Sequence, residues 1–464
     1  MVVRQLKRAV AVALAGGAAA LLAAVPATGA TTSTSYSGKT SDGGSWVADV
    51  PSPWNGTVLL YSHGFGPLVA ADAPDSATKQ ALLNRGYALA GSSYDPHGSW
   101  WALGSALRDQ FETLQDVRAD LPSAPQRVLA FGTSMGGLIS ALEDENANGR
   151  INGALTTCGI VAGGINLNNY QLDGEYAIRQ LLGSGDAIQL VHFASPAAGL
   201  ATGKAFDAIA QGAQQTAAGR ARLALAMAFL NVATWAPGER MPAPGDYAAQ
   251  ERQQYQVEFT LPPSSSGAPL TAMDFVEFGR WYIESAAGGN GSWTAGVNFA
   301  ELLRHSSYAP EVEALYRAAG LSLRDDLANL TANAHIKADP NAIRWLSETS
   351  VPTGRLQVPE LDMHTIADQL VPVQHERYYR HTVRVAGRSD LLRQAYVERQ
   401  LHCNFTPAEL VAGVLAIQHR VGTGRWDQVA TPAHLNAEAS GLGLGASAFI
   451  PFLPPRLSGV NRQK

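Results

Sequence analysis

Four short apolar runs in the first third of the chain each end in small or polar residues. Val58 to Tyr61 runs into Ser62-His63-Gly64-Phe65-Gly66, and Tyr87 to Ala90 into Gly91-Ser92-Ser93-Tyr94. Val128 to Phe131 runs into Gly132, and Gly153 to Thr157 into Cys158. Such runs predict short strands buried on both faces, and helical stretches between them, such as Ala102 to Leu121, predict βαβ units and a parallel sheet. From about Ile165 to Asn341 this rhythm stops. The segment is helical in pattern (Ala205 to Val232 is Ala/Leu/Gln-rich) and is broken by Ala236-Pro237-Gly238 and the turn-rich Leu261 to Gly267. A β-like pattern resumes at Arg355 to Met363 and Leu391 to Glu398. Thr406-Pro407-Ala408-Glu409 then opens a helix, with Thr as cap, Pro in the first turn and Glu closing a capping box. The pattern predicts an α/β chain: a mostly parallel central sheet in two parts, residues 31–164 and 346–464, interrupted by a large, mainly helical insertion at 165–345.

The N-terminus does not fit a folded element. Arg4, Lys7 and Arg8 precede an uncharged Ala/Gly/Leu/Val run from Ala9 to Val25, and Ala27-Thr28-Gly29-Ala30 offers small residues for cleavage. Residues 1–30 therefore read as a secretory signal peptide, the alternative being an uncleaved anchor, for which the run is short. The expected location is extracellular. Thr31 to Ser45, rich in Ser, Thr and Gly, reads as a loose lead-in. Residues 1–30 carry three positive charges and no negative one, so the net charge of −5 becomes −8 without them. An acidic surface disfavours nucleic acid and anionic membranes as partners and implies no stable membrane anchoring. A hydrophobic fraction of 46% excludes wholesale disorder, and two cysteines cannot form a disulfide framework, so a core must carry the fold.

Candidate chemistry lies at the ends of the strand-like runs. Gly132-Thr133-Ser134-Met135-Gly136 is a G-x-S-x-G between a strand and an apolar helical stretch, the context that exposes a serine hydroxyl above a sheet. A serine alcohol needs a base, and the base an orienting carboxylate. Asp368, in Asp368-Gln369-Leu370-Val371-Pro372, and His402, in Leu401-His402-Cys403-Asn404, follow in that chain order. Asp362 and Asp390 are rival acids, the first inside a strand-like run, the second in a turn-like Arg388-Ser389-Asp390. Among the other histidines, His63 fits a structural role in its loop and His364 is near enough to the acid to pack in the site. His375, His381 and His419 lie in polar helical contexts. No metal-ligand spacing occurs, and no metal or other cofactor is expected.

These motifs resemble the α/β-hydrolases over roughly residues 55–160 and 350–420. His63-Gly64-Phe65-Gly66 resembles that family's oxyanion loop, Gly132 to Gly136 its nucleophile elbow and Asp368 to Pro372 its acid loop. The resemblance implies an α/β-hydrolase fold with an inserted cap. It casts Ser134 as nucleophile, His402 as base and Asp368 as orienter, with the backbone N–H groups of Phe65 and Met135 forming the oxyanion hole. In an exported protein Cys158 and Cys403 most simply form one bridge, the alternative being two buried thiols. That bridge resembles the one linking the nucleophile and histidine regions in tannases and feruloyl esterases, although Thr133 rather than cysteine precedes this serine. Trp100 and Trp101 follow the second strand near the expected mouth and are candidate substrate contacts. Trp235, Phe275, Phe278, Trp281 and Tyr282 read mainly as insertion core. The expectation is a secreted carboxylic ester hydrolase acting on a small molecule with an apolar or aromatic group. The alternatives are a serine aminopeptidase, with Asp274, Glu277 or Glu284 holding an ammonium (residues that otherwise read as a solvated helix face), an acyltransferase, or a non-catalytic binding protein.

Overall fold

In the computed structural model, residues 31–183, 188–263 and 270–459 are described; residues 1–30, read above as a leader, lie outside them. Strands β1 (Thr32–Lys39), β2 (Ser45–Ser52), β3 (Thr57–Ser62), β4 (Ala88–Ser92), β5 (Arg127–Thr133), β6 (Gly153–Thr157), β7 (Glu360–Ala367), β8 (Leu392–Gln400) and β9 (Phe449–Ile450) form a single sheet. Their order is β1-β2-β4-β3-β5-β6-β7-β8-β9. The six strands from β3 to β8 are parallel; β1, β2 and β9 are antiparallel to their neighbours and form the two edges.

The apolar runs are buried because both faces of the sheet are covered. Leu59, Leu89, Leu129, Phe131, Leu155 and Leu361 point to one face, against Leu82 of the helix Ser76–Leu83 and Val411 and Ile417 of the helix Pro407–Thr423. Val58, Leu60, Ala88, Val128, Ala130 and Ala154 point to the other, against Phe111, Leu114 and Val117 of the helix Ala106–Val117. The helix Pro407–Thr423 opens with Thr406 and Glu409 in a reciprocal capping box, as its sequence predicts.

The lead-in expected at Thr31 to Ser45 is instead mostly an ordered strand. All eight residues of β1 pair with β2, from Thr32 opposite Ser52 to Lys39 opposite Ser45, and Ser35 donates a hydrogen bond to Asp49. Neither face of this edge strand is deeply buried, so no apolar alternation marks it in the sequence.

Between β6 and β7 the described residues form helices only, from Gly164–Leu181 to Pro340–Thr349. They have a core of their own, built on Tyr176, Phe206, Leu225, Phe229, Phe299 and Tyr316. The chain after β9 returns to this layer, where the Ser458 N–H donates to Asn231 Oδ1 at 3.0 Å. Among the described residues no helix is long and apolar enough to cross a membrane.

The helix Met135–Glu145 buries Glu143 completely beside Ser62 at the end of β3. Burial pushes its carboxyl up to about 8, against a hydrogen bond from Ser62. The folded state thus keeps a proton that the unfolded chain releases above the ordinary carboxylate range. Stability falls as pH rises through that window and levels off above about pH 8. Glu143→Gln removes this titration. It is expected to raise Tm by several degrees more at pH 8 than at pH 4.5 in scanning calorimetry; equal shifts at the two pH values would contradict the burial argument.

Candidate active site

The chain turns at Ser134 from β5 directly into the helix Met135–Glu145, and Ser134 takes φ 60°, ψ −122°, a conformation costly for a residue with a side chain. The flanking glycines make the turn possible. A Cβ at Gly132 would lie 1.9 Å from the Gly136 carbonyl oxygen, and one at Gly136 would lie 1.8 Å from the Ser62 carbonyl oxygen. The Ser134 N–H donates to Thr157 O at 3.0 Å, tying the turn to β6. The hydroxyl therefore projects from the carboxyl end of the sheet, where open α/β sheets gather their ligands.

Two loops from distant parts of the chain meet it there. His402 Nε2 lies 2.8 Å from Ser134 Oγ, and His402 Nδ1 lies 2.7 Å from Asp368 Oδ2. Asp368 follows β7 directly and is buried; its Oδ1 accepts the N–H groups of Leu370 and Val371 at 3.0 and 2.9 Å. Burial alone would raise its carboxyl. The charges of His402 and His364 and these hydrogen bonds outweigh burial and hold it below its ordinary value. An imidazole between a carboxylate and a hydroxyl in this way can accept the hydroxyl proton while the carboxylate fixes its tautomer.

Phe65 and Met135 border Ser134. Met135 opens the helix, so its N–H has no intrahelical acceptor. The Phe65 loop crosses close to the serine: a Cβ at Gly64 would lie 3.2 Å from Ser134 Cβ. His63 supports this loop, its ring stacked on Tyr94 at 4.3 Å while the Tyr94 hydroxyl donates to the His63 carbonyl.

Cys158 and Cys403 form a disulfide across 245 residues, and Cys403 Sγ lies 3.2 Å from His402 Nε2. The bridge joins the end of β6 to the histidine loop, in which Leu401 and Cys403 both take positive φ. Cys158, His402 and Cys403 bring potential metal-ligand atoms within 4.8 Å of one another, but both sulfurs are joined in the disulfide.

Ser134 and His402 open into a narrow cleft whose interior holds about 60 Å³. The core contributes Phe65, Trp101, Ile160, Leu370 and Val371. The helix Gly164–Leu181 adds Leu167 and Gln171, and the helix Ala272–Ala287 adds Phe275, Val276, Gly279 and Ile283. Of the two candidate tryptophans, only Trp101 lines this cleft. Trp100 stands one layer behind, stacked on Tyr282 at 4.5 Å and edge-on to Phe65 at 5.8 Å. Phe65 also meets Phe275 and Tyr282 edge-on, so an aromatic cluster locks its loop to the inserted helices. Phe275 was expected in the insertion core and is instead a cleft wall. Its helix shows the site one face and the insertion the other, and periodicity cannot tell two buried faces apart.

The same two-sided burial overturns the solvated face expected for Asp274, Glu277 and Glu284, which are 1%, 0% and 8% exposed. Asp274 pairs with Lys204 at 3.0 Å, and Glu277 lies 3.7 Å from Arg280, which grips Glu175 through two contacts of 2.6 Å. Glu284 accepts the N–H groups of His192 and Phe193 at 2.8 and 3.0 Å. None of the three lines the cleft.

The rival acids are engaged elsewhere. Asp362 is buried, accepting from Thr156 Oγ1 at 2.6 Å and Gln394 Nε2 at 3.1 Å. Asp390 is exposed in the turn before β8, away from the cleft lining, and only its backbone carbonyl accepts from the Trp426 indole. His364 is buried beneath the acid, 3.6 Å from Asp368 Oδ2 and 2.7 Å from Glu376 Oε1. His375, expected in a polar helical context, is also fully buried, accepting the Ala162 N–H at 3.2 Å and touching the Tyr170 hydroxyl.

The strand order, the serine turn after β5, the carboxylate after β7 and the histidine after β8 together are the architecture of an α/β-hydrolase fold. The chain is 26% identical over 430 residues to o-phthalyl amidase of Xanthobacter agilis, covering 88% of this chain and 91% of that one. Among solved structures it is similar to feruloyl esterase B from Aspergillus oryzae, at 12% identity and a TM-score of 0.41 over 85% of this chain and 82% of that one. It is also similar to an acylaminoacyl peptidase, at 11% identity and a TM-score of 0.38 over 84% of this chain, and spans 41% of that longer protein. No protein-family model matches the chain.

Two outcomes test the geometry. Asp368→Asn keeps the shape but reverses the hydrogen bonding available to His402, and is expected to lower kcat by about 10⁴ without lowering Tm greatly. Replacing Cys158 and Cys403 by serine is expected to cost about 2–5 kcal/mol in denaturant unfolding, and dithiothreitol should do the same to the unmodified protein. An unchanged midpoint in both would mean that the bridge carries no load.

Proposed function

We propose that this protein is a secreted serine hydrolase that cleaves carboxylic esters of compact apolar or aromatic acyl groups through an acyl-enzyme. The observation that carries this reading is the contact chain Ser134–His402–Asp368, at 2.8 and 2.7 Å, opening onto an apolar cleft. In the proposed cycle His402 takes the Ser134 proton as the oxygen attacks the acyl carbonyl. The N–H groups of Met135 and Phe65 receive the developing oxyanion. His402 then passes the proton to the departing alcohol, and water, activated by the same imidazole, releases the acid. The narrow interior of the cleft suits a compact acyl group, and its apolar walls suit an uncharged one.

A second reading, amide cleavage by the same steps, is favoured by the similarity to o-phthalyl amidase across nearly the whole of both chains. The aminopeptidase reading loses support, since the acids that would have held an ammonium are buried against partners outside the cleft. Export is supported by the leader-like residues 1–30 and by a disulfide, a bond that persists in oxidising compartments.

The test is a panel of p-nitrophenyl acetate and benzoate, benzoyl and phthalyl anilides and an aminoacyl anilide, run with a fluorophosphonate serine probe. Wild type is expected to turn over the aryl or short-acyl substrates and to be labelled at Ser134. Ser134→Ala and His402→Ala should each lower kcat by about 10⁴–10⁶ while remaining folded. Turnover that survives in Ser134→Ala would refute the mechanism, and selective cleavage of the anilides would move the assignment from esterase to amidase.

A further inference from the structure

One polar side chain in the cleft is used by nothing described above. Gln171 lies one helical turn beyond Leu167 on the helix Gly164–Leu181, and this spacing sets both on the face that meets Ser134 and His402. The residue is 8% exposed, its amide makes no hydrogen bond with any of the described residues, and neither amide atom is fully sealed from solvent. An amide held on a cleft wall without a protein partner is free to pair with a group that enters the cleft. Around Gln171 the wall is apolar: Ile160, Leu167, Phe275, Val276 and Ile283. Ser134 and His402, the other polar lining groups, are bonded to each other.

We propose that Gln171 is the specificity-determining residue of the cleft, and that it binds one neutral hydrogen-bonding substituent on the acyl group attacked by Ser134. A primary amide carries both donor and acceptor, so it matches a hydroxyl or carboxamide, which can pair with it in either sense. An ionised substituent fits poorly, because no Lys, Arg, Asp or Glu is among the described residues lining the cleft and a charge there would lose water without gaining a counter-ion. A site built around a buried polar group also rejects the analogue that leaves it unpaired, which turns a single amide into a selectivity device. The assignment rests on the serine-hydrolase reading for the bond that breaks, but not for the ligand that binds.

Two measurements separate those dependences. The first compares kcat/KM for p-nitrophenyl benzoates carrying a hydroxyl or carboxamide at each ring position with the methyl-substituted isosteres, in wild type, Gln171→Leu and the flexible, similarly long Gln171→Met. The second measures binding of the matching benzamides to Ser134→Ala, with and without the Gln171 replacements, by calorimetry. Wild type is expected to prefer at least one polar isomer over its methyl isostere by about tenfold or more, and the ratio should fall to about one in both Gln171 variants. A ratio near one in wild type, or one that persists in either folded Gln171 variant, overturns the proposal. Absent ester turnover together with a Gln171-dependent binding preference would count against the hydrolase reading while supporting the role of Gln171.

Discussion

The close approach of backbone to backbone at Gly132 and Gly136 is the constraint on which the rest of the site depends. A strand that must become a helix within one residue leaves no room for a Cβ on either side of the turn, and the residue at its apex is forced to positive φ. Once that turn is made, the serine hydroxyl stands at the end of the sheet and the first N–H groups of the helix face the same space. Parallel neighbours then bring the ends of β3, β6, β7 and β8 to the same edge. The Phe65 loop, Cys158, Asp368 and the His402 loop thus become neighbours although they are spread over the chain from residue 65 to residue 402.

The histidine loop needs a second constraint. It is short, it carries two non-glycine residues at positive φ, and it must hold an imidazole within hydrogen-bond reach of two partners. The disulfide fastens this loop to the end of β6, itself tied to the serine turn through Thr157. Ser134 and His402 are therefore referenced to the same strand, and the covalent link opposes motion that would separate them.

The inserted helices close the site from above, and they do so with a two-faced helix. Ala272–Ala287 turns Phe275, Val276 and Ile283 toward Ser134 while Glu277, Arg280 and Glu284 are buried in the insertion's own polar network. The stack of Trp100 on Tyr282, with Phe65 edge-on to both, joins insertion and core at the loop that borders Ser134. The width of the cleft is thereby coupled to the seating of the insertion. What fits beside Ser134 is decided by side chains from two layers of the molecule.

Local chemistry was legible in the chain wherever a motif and its element coincide. Gly132 to Gly136 after an apolar run and the capped helix at Thr406 follow from periodicity and turn chemistry, because each depends on neighbours within a few residues, whereas Asp368 and His402 were singled out by the resemblance of their loops to those of the α/β-hydrolases. The polar edge strand β1 was not legible, since an edge with no covered face leaves no apolar alternation behind. Nor was the burial of His375, Asp274, Glu277 and Glu284, whose polar sequences read as solvent-facing until a second layer packs over them. The placing of Trp101 rather than Trp100 in the cleft and the arrival of Phe275 and Gln171 beside the serine belong to the tertiary structure alone. They depend on which face of an element meets which neighbour across long separations, and no local pattern encodes a contact between two surfaces that are both buried.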